Sequence, residues 1–276
     1  MSATRVSYTS ATFDNHTAVK NHRIGAWRAT VSAELTGFGG THGGYLAAIV
    51  LRAMARLVTD RERTARSLGL DLLAPVKPGV LELWPRLDRT GSSTSGVTLR
   101  LEQDGETVGT ARALFGSPRP SLEYIGVEMP DVPPPEDCQP IADKPAPDAL
   151  ARLLEHRPAA PPLPFSGSEH AELLVWMRTV EQRPLDALAL AMLADGAPPA
   201  LFGHLARFVP IPSIEIALHF ADLDATTDNP WVLGVFRTRH AADGYAVEDG
   251  ELWTPTGQLA LQARQLRRIL RDVGRA

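Results

Sequence analysis

From Gly43 to Met54 the chain reads Gly-Gly-Tyr-Leu-Ala-Ala-Ile-Val-Leu-Arg-Ala-Met, with no charge before Arg52. The spacing predicts a helix from Gly43 to about Val58. That helix has almost no polar face, so it has to be enclosed on nearly every side. A long antiparallel sheet wrapped around it would do this. Four strand-like segments follow, at Ser67–Ala74, Val80–Asp88, Thr94–Gln103 and Thr107–Phe115. Asp104-Gly105 joins the last two with a strong hairpin signal. Ahead of the helix, Thr12–Ala18 and Ala26–Leu35 have the β-branched, alternating look of short strands.

The order then repeats. Glu172–Thr179 reads as a strand, and Pro184–Ala194 as a second apolar helix with Pro184 in its first turn. Strands follow at Ser213–Ala221, Trp231–Arg239, Tyr245–Thr254 and Leu259–Leu270. Gly105–Ala113 can be laid on Gly257–Gln265, sharing the glycine and an Ala-Arg pair. Ser67–Leu72 can be laid on Ser213–Leu218. The chain is therefore expected to be α+β, with two antiparallel sheets each wrapped around a central apolar helix and joined into one long sheet. Pro118–Pro164 holds more than half of the chain's 23 prolines and has no sustained periodicity. It reads as a linker or surface-covering loop, with a short helix at Asp148–His156 capped by Asp148. The expected division is residues 1–117, a linker at 118–165, and residues 166–276.

Bulk properties exclude several classes. Net charge is -4, the pI is about 6.1 and no basic tract is present, so a nucleic-acid binder is not expected. The lone Cys138 precludes a disulfide framework or a cysteine metal site within one chain. No signal pattern is visible, and the longest apolar runs are far short of a membrane span. The expectation is a soluble cytoplasmic protein. There is no Gly-x-Ser-x-Gly elbow and no P-loop. His42 occupies the third glycine's place in any dinucleotide fingerprint at Gly37, and the eight histidines show no His-x-x-x-His spacing. No metal or redox cofactor is expected.

Four places carry candidate chemistry. Gly43 and Gly44 stand where the first helix begins, where backbone N–H groups lack partners and the helix end is partly positive. Glycine there lets a ligand oxygen approach bare backbone; it also suits a tight turn. Asp195 closes the apolar run Leu188–Ala194, where a carboxylate is costly unless paired, exposed or functional. Asp195-Gly196 reads equally as a helix stop. Gln265 continues the one-face row Leu259, Leu261, Ala263, and a glutamine there needs hydrogen-bond partners. It also reads as a strand end reaching solvent. Simple alternation places Ser213 on the face opposite Ile214 and Ile216, unless Pro210 and Pro212 break the alternation.

His42-Gly-Gly-Tyr-Leu-Ala-Ala48, Arg183-Pro-Leu-Asp leading to Leu-Ala-Asp195, Pro212-Ser-Ile-Glu-Ile-Ala-Leu-His-Phe220 and the final hairpin ending Ala-Arg-Gln265 together resemble the double-hotdog acyl-CoA thioesterases of the thioesterase II type. The resemblance covers nearly the whole chain. It implies a water-activated hydrolase with Asp195, Ser213 and Gln265 holding the attacking water. Gly43, Gly44 and Tyr45 would bind substrate, with helix-start N–H groups polarising the thioester carbonyl. An acyl chain would lie in an apolar tunnel between helix and sheet, an unspecified arginine would meet the CoA phosphates, and the chain would form a dimer or tetramer. Eight residues beyond Gly43 lies Leu51; eight before Asp195 lies Ala187. Each copy thus holds the half that the other lacks, which predicts one complete site and one vestigial site. The alternatives are a non-catalytic acyl-CoA-binding protein and a hotdog dehydratase or hydratase. The latter would want an Asp-x-x-x-x-His dyad on one helix, and neither helix has it.

Overall fold

The computed structural model describes residues 12–37, 39–140, 153–181, 183–221 and 229–270. The strands are β1 (Val19–Arg23), β2 (Ala26–Val31), the short β3 (Thr36–Gly37) and β4 (Gly40–Thr41), β5 (Thr64–Leu72), β6 (Gly79–Thr90), β7 (Thr94–Gln103) and β8 (Glu106–Gly116). They continue with β9 (Leu154–Ala160), β10 (Glu172–Thr179), β11 (Ser213–Phe220), β12 (Val232–Ala242), β13 (Tyr245–Trp253) and β14 (Leu259–Arg268). Helix α2 (Gly43–Ala55) and helix α3 (Ala187–Leu193) are the two apolar helices.

Twelve strands form one antiparallel sheet in the order β1-β2-β6-β7-β8-β5-β11-β14-β13-β12-β10-β9. The order is a palindrome of two copies meeting at β5 and β11. Gly69 pairs with Ala217 at that seam, flanked by Leu70–Ile216 and Leu68–Leu218. The expected joined sheet is therefore present. Eleven of the residues of α2 are buried, Gly43 to Leu51 together with Ala53 and Met54. The sheet wraps α2, and α3 packs on it. A Cβ on Gly44 would lie 2.5 Å from the Met192 carbonyl oxygen. Only glycine lets the two helix backbones approach this closely.

Three expectations change. Thr12–His16 is a short helix, α1, not a strand; Arg183 stacks on its Phe13 ring at 3.9 Å. Helix α3 starts only at Ala187, where Asp186 caps it by accepting from the Ala189 N–H at 2.8 Å. Pro184 thus lies outside the helix. Leu154–Ala160, within the stretch read as a linker, is strand β9 and pairs with β10. The helix expected at Asp148–His156 lies in part outside the described residues, and its end from Leu154 is strand.

The proline-rich stretch does cover a surface. Val127, Met129, Val132 and Cys138 pack on Trp176, Trp231, Leu233, Val235 and Trp253. Leu233 and Val235 alternate with Val232 and Phe236 of the main core, so this second cluster lies on the outer face of the second half. The Trp176 indole donates to the Pro133 carbonyl at 2.8 Å.

Candidate active site

Asp195 sits in the turn that ends α3, directly after its cap Ala194. The helix stop holds, and the turn aims the carboxylate at the start of α2. Asp195 is 5% exposed. Its Oδ2 accepts the Gly44 N–H at 3.0 Å and lies 3.5 Å from His42 Nε2. Its Oδ1 is 3.1 Å from Ser213 Oγ and 3.1 Å from Arg267 Nη2. A Cβ on Gly43 would stand 2.8 Å from Oδ2, so both glycines exist to admit this carboxylate to the helix end. The macrodipole there favours a negative charge. Burial is the largest influence on Asp195 and pushes its pKa up. The His42 ring, the Arg267 guanidinium, the Ser213 hydroxyl and the Gly44 amide together outweigh it and hold the carboxyl below the usual range.

Ser213 faces this carboxylate because β11 carries a bulge. Ser213 pairs with Arg267 while Glu215 pairs with Leu266, so Ile214 is the extra residue. One inserted residue reverses the alternation behind it, which turns Ser213 onto the face of Ile216. Its hydroxyl also reaches Gln265 Oε1 at 2.6 Å and accepts from Arg267 Nη1 at 2.9 Å. Gln265, 1% exposed, donates through Nε2 to the Ala194 carbonyl at 3.0 Å. Asp195, Ser213, Gln265, Gly43 and Gly44 therefore converge.

Tyr45 does not join them through its side chain. Its ring is fully buried and its hydroxyl donates to the His16 carbonyl at 2.6 Å. Burial pushes that hydroxyl up to about 12. The Tyr45 N–H caps onto His42 Nδ1 at 3.4 Å. An Nδ1 that accepts puts the neutral ring's proton on Nε2, toward Asp195.

Three residues of this cluster lie outside the sequence-based set: His42, Glu248 and Arg267. Arg267 is 4% exposed and Glu248 is 1% exposed. Glu248 Oε1 accepts from Arg267 Nε at 3.0 Å and from Nη2 at 2.7 Å, while its Oε2 accepts the Ala200 N–H. The signal was available: Arg267 follows Gln265 in the same inward row, and Glu248 interrupts the inward row Ala246, Gly250, Leu252 of β13. Among the described residues no cluster of histidine, cysteine and carboxylates could hold a metal ion. The clefts lined by Leu205, Val209 and Leu270 and by His170, Glu172 and His240 hold none of these site residues.

Two helix-and-sheet copies sharing one sheet, with a polar cluster built where they meet, define a double-hotdog protein. Residues 18–116 match the model of the acyl-CoA thioesterase N-terminal domain, and residues 135–269 match that of the acyl-CoA thioesterase C-terminal domain. A conserved hotdog-fold protein of unknown function from Alicyclobacillus acidocaldarius is 33% identical, with a TM-score of 0.85 over 95% of this chain and 98% of its own. An acyl-CoA thioesterase II from Mycobacterium marinum shares the fold at 21% identity, with a TM-score of 0.77 over 96% of this chain and all of its own. A search of curated proteins finds no match. The chain belongs to the acyl-CoA thioesterase family. No helix among the described residues is long and apolar enough to cross a membrane.

Proposed function

We propose that the protein hydrolyses acyl-CoA thioesters to free acid and CoA with Asp195 as the general base. The observation that carries this reading is the buried Asp195 carboxylate held at the start of the other copy's helix. Of its four contacts, that to His42 is the longest at 3.5 Å, and the His42 side chain is 21% exposed. The attacking water enters there, between His42 Nε2 and Asp195 Oδ2. Asp195 takes its proton as the oxygen attacks the thioester carbon, a role worth roughly a hundred- to ten-thousandfold. Ser213 has one proton, directed to Gln265 or Asp195, so Ser213 and Gln265 act by fixing the carboxylate and leave one Gln265 amide hydrogen for water.

The oxyanion donor also narrows. Gly44 and Tyr45 already spend their N–H groups on Asp195 and His42. Among the described residues the Gly43 N–H has no protein acceptor. It is the helix-start donor for the developing oxyanion. We take residues 1–117 as one unit and residues 166–276 together with β9 as the other. Self-association is checked by light scattering.

The test is thiol release from a panel of acyl-CoAs, with Asp195→Asn beside the wild type. Release by the wild type and near-complete loss in the variant support the reading. Tight acyl-CoA binding with no release on any chain length leaves the non-catalytic acyl-CoA-binding alternative. A second reading, hydration or dehydration of an acyl-CoA, is favoured by the contact of His42 with Asp195. That pair, absent along either helix, forms in space between the two copies. Loss of enoyl-CoA absorbance without thiol release would select it.

A further inference from the structure

Asp195 is buried deeply enough that an isolated carboxyl in its place would stay protonated. A buried acid without charge partners keeps its proton, because the charged form loses its hydration. The other copy shows this place without the acid. By helix caps and strand register, Asp195 corresponds to Leu51, Glu248 to Val97, Gln265 to Ala113 and Arg267 to Phe115. The fold itself therefore needs neither Glu248 nor Arg267.

We propose that Arg267 and Glu248 are a positioning pair that keeps Asp195 ionised and aims its Oδ2 at the water and the start of α2. This rests on the reading of Asp195 as the general base. Arg267 could close on Asp195 as a bidentate fork, the strongest guanidinium–carboxylate geometry. Glu248 prevents that by taking Nε and Nη2 on one oxygen, at 3.0 Å and 2.7 Å. Only an edge of Nη2 is left for Asp195 Oδ1, at 3.1 Å, while Nη1 goes to Ser213. Oδ2 is thereby free of arginine and faces His42 and Gly44. Glu248 is itself anchored by the Ala200 N–H, beyond the turn that carries Asp195.

The charged and titratable groups around Asp195 are His42 from the start of α2, Arg267 from β14 and Glu248 from β13. His156 of β9 bonds the adjacent Gly196 carbonyl at 2.8 Å. Burial and charge partners oppose one another at Asp195, so removing one partner moves its titration in a stated direction.

The experiment follows Asp195 by carboxyl-carbon NMR, with its signal assigned through Asp195→Asn, and the pH profile of kcat in the same variants. Glu248→Val with Arg267→Phe copies the other half of the chain, so the pair leaves without vacating the space. Asp195 then titrates about one unit or more higher. The acid limb of kcat moves with it, kcat falls at least about tenfold, and KM stays within about twofold. Glu248→Gln alone moves the titration the other way, because Arg267 closes on Asp195, and kcat again falls. An Asp195 titration unchanged in the folded double variant overturns the proposal. Where the double variant fails to fold, Glu248→Gln decides: a downward shift supports the pair and no shift overturns it. A wild type without hydrolysis refutes the thioesterase reading alone, because the NMR titration needs no turnover.

Discussion

The two halves of the chain share one plan and differ at the place where they meet. In the second half Asp195, Glu248, Gln265 and Arg267 form a buried polar cluster joined by the half-buried Ser213. In the first half the corresponding Leu51, Ala65, Val97, Ala113 and Phe115 are all buried and apolar. The backbone is nearly the same, down to a bulge: Ala65 pairs with Phe115 and Ser67 with Leu114, as Ser213 pairs with Arg267 and Glu215 with Leu266. The fold thus tolerates either a hydrophobic plug or a hydrogen-bonded polar network at this place. It does not tolerate a half-satisfied one, since each buried unpaired group carries its whole desolvation penalty.

The harshest way to break the comparison is to put an acid in the plugged half. Leu51→Asp meets no donor from Ala65, Val97, Ala113 or Phe115. It should destabilise by about 3–5 kcal/mol at neutral pH, measured by denaturant unfolding, and the loss should shrink as pH falls and the new carboxyl protonates. A gain of activity from this variant would show that the plugged half still carries a competent site. Gly44→Ala drives a methyl onto the Met192 carbonyl. A loss of about 1–3 kcal/mol in thermal unfolding is expected, as for overpacked cores, together with lower activity. The equivalent position in α3 is Leu188, so the reciprocal Leu188→Gly should leave activity intact.

Ser213→Ala removes the hydroxyl shared by Arg267 and Gln265. Ser213 is half-buried, so water partly replaces it and the stability loss should be near the lower end for an orphaned group, about 1 kcal/mol. Ser213→Thr keeps the oxygen and should lose less. The smallest and most specific effect is in pH dependence. Asp195 is held below its unfolded value. Its stabilisation is present above about pH 4 and lost as pH falls through the lowered folded value. Other carboxylates such as Asp249 and Glu155 are lowered as well. The comparison is therefore wild type against Asp195→Asn, and the unfolding free energy of the variant should fall less steeply below pH 4.

The duplication, the joined sheet and the meeting of Gly43-Gly44 with Asp195 were legible because each leaves a local mark: an apolar helix, a hairpin turn, an acid or a glycine out of pattern. Thr94–Gln103 and Glu172–Thr179 were readable to the residue, the first from uninterrupted alternation and the second from the unbroken apolar run Leu173–Met177. Ser213 was not, because a bulge is a property of two strands and alternation within one cannot reveal it. For the same reason the overlay of Ser67 on Ser213 is displaced by two residues; register makes Ala65 the counterpart. Arg267 and Glu248 stand in inward rows, but the pairing that satisfies them comes from distant segments and leaves no local mark. Thr12–His16 looked extended, yet tertiary contacts with Arg52 and Arg183 hold it as helix.

The outer faces of the two halves differ as well, and that has a practical consequence. Trp176, Trp231 and Trp253, three of the chain's five tryptophans, lie beneath the proline-rich strap. In the other half Trp84 lies half-buried at the surface between Arg23 and Arg100. The protein therefore carries its own optical gauge: a soluble quencher dims Trp84 first, and a later, larger loss of emission marks the moment the strap lifts.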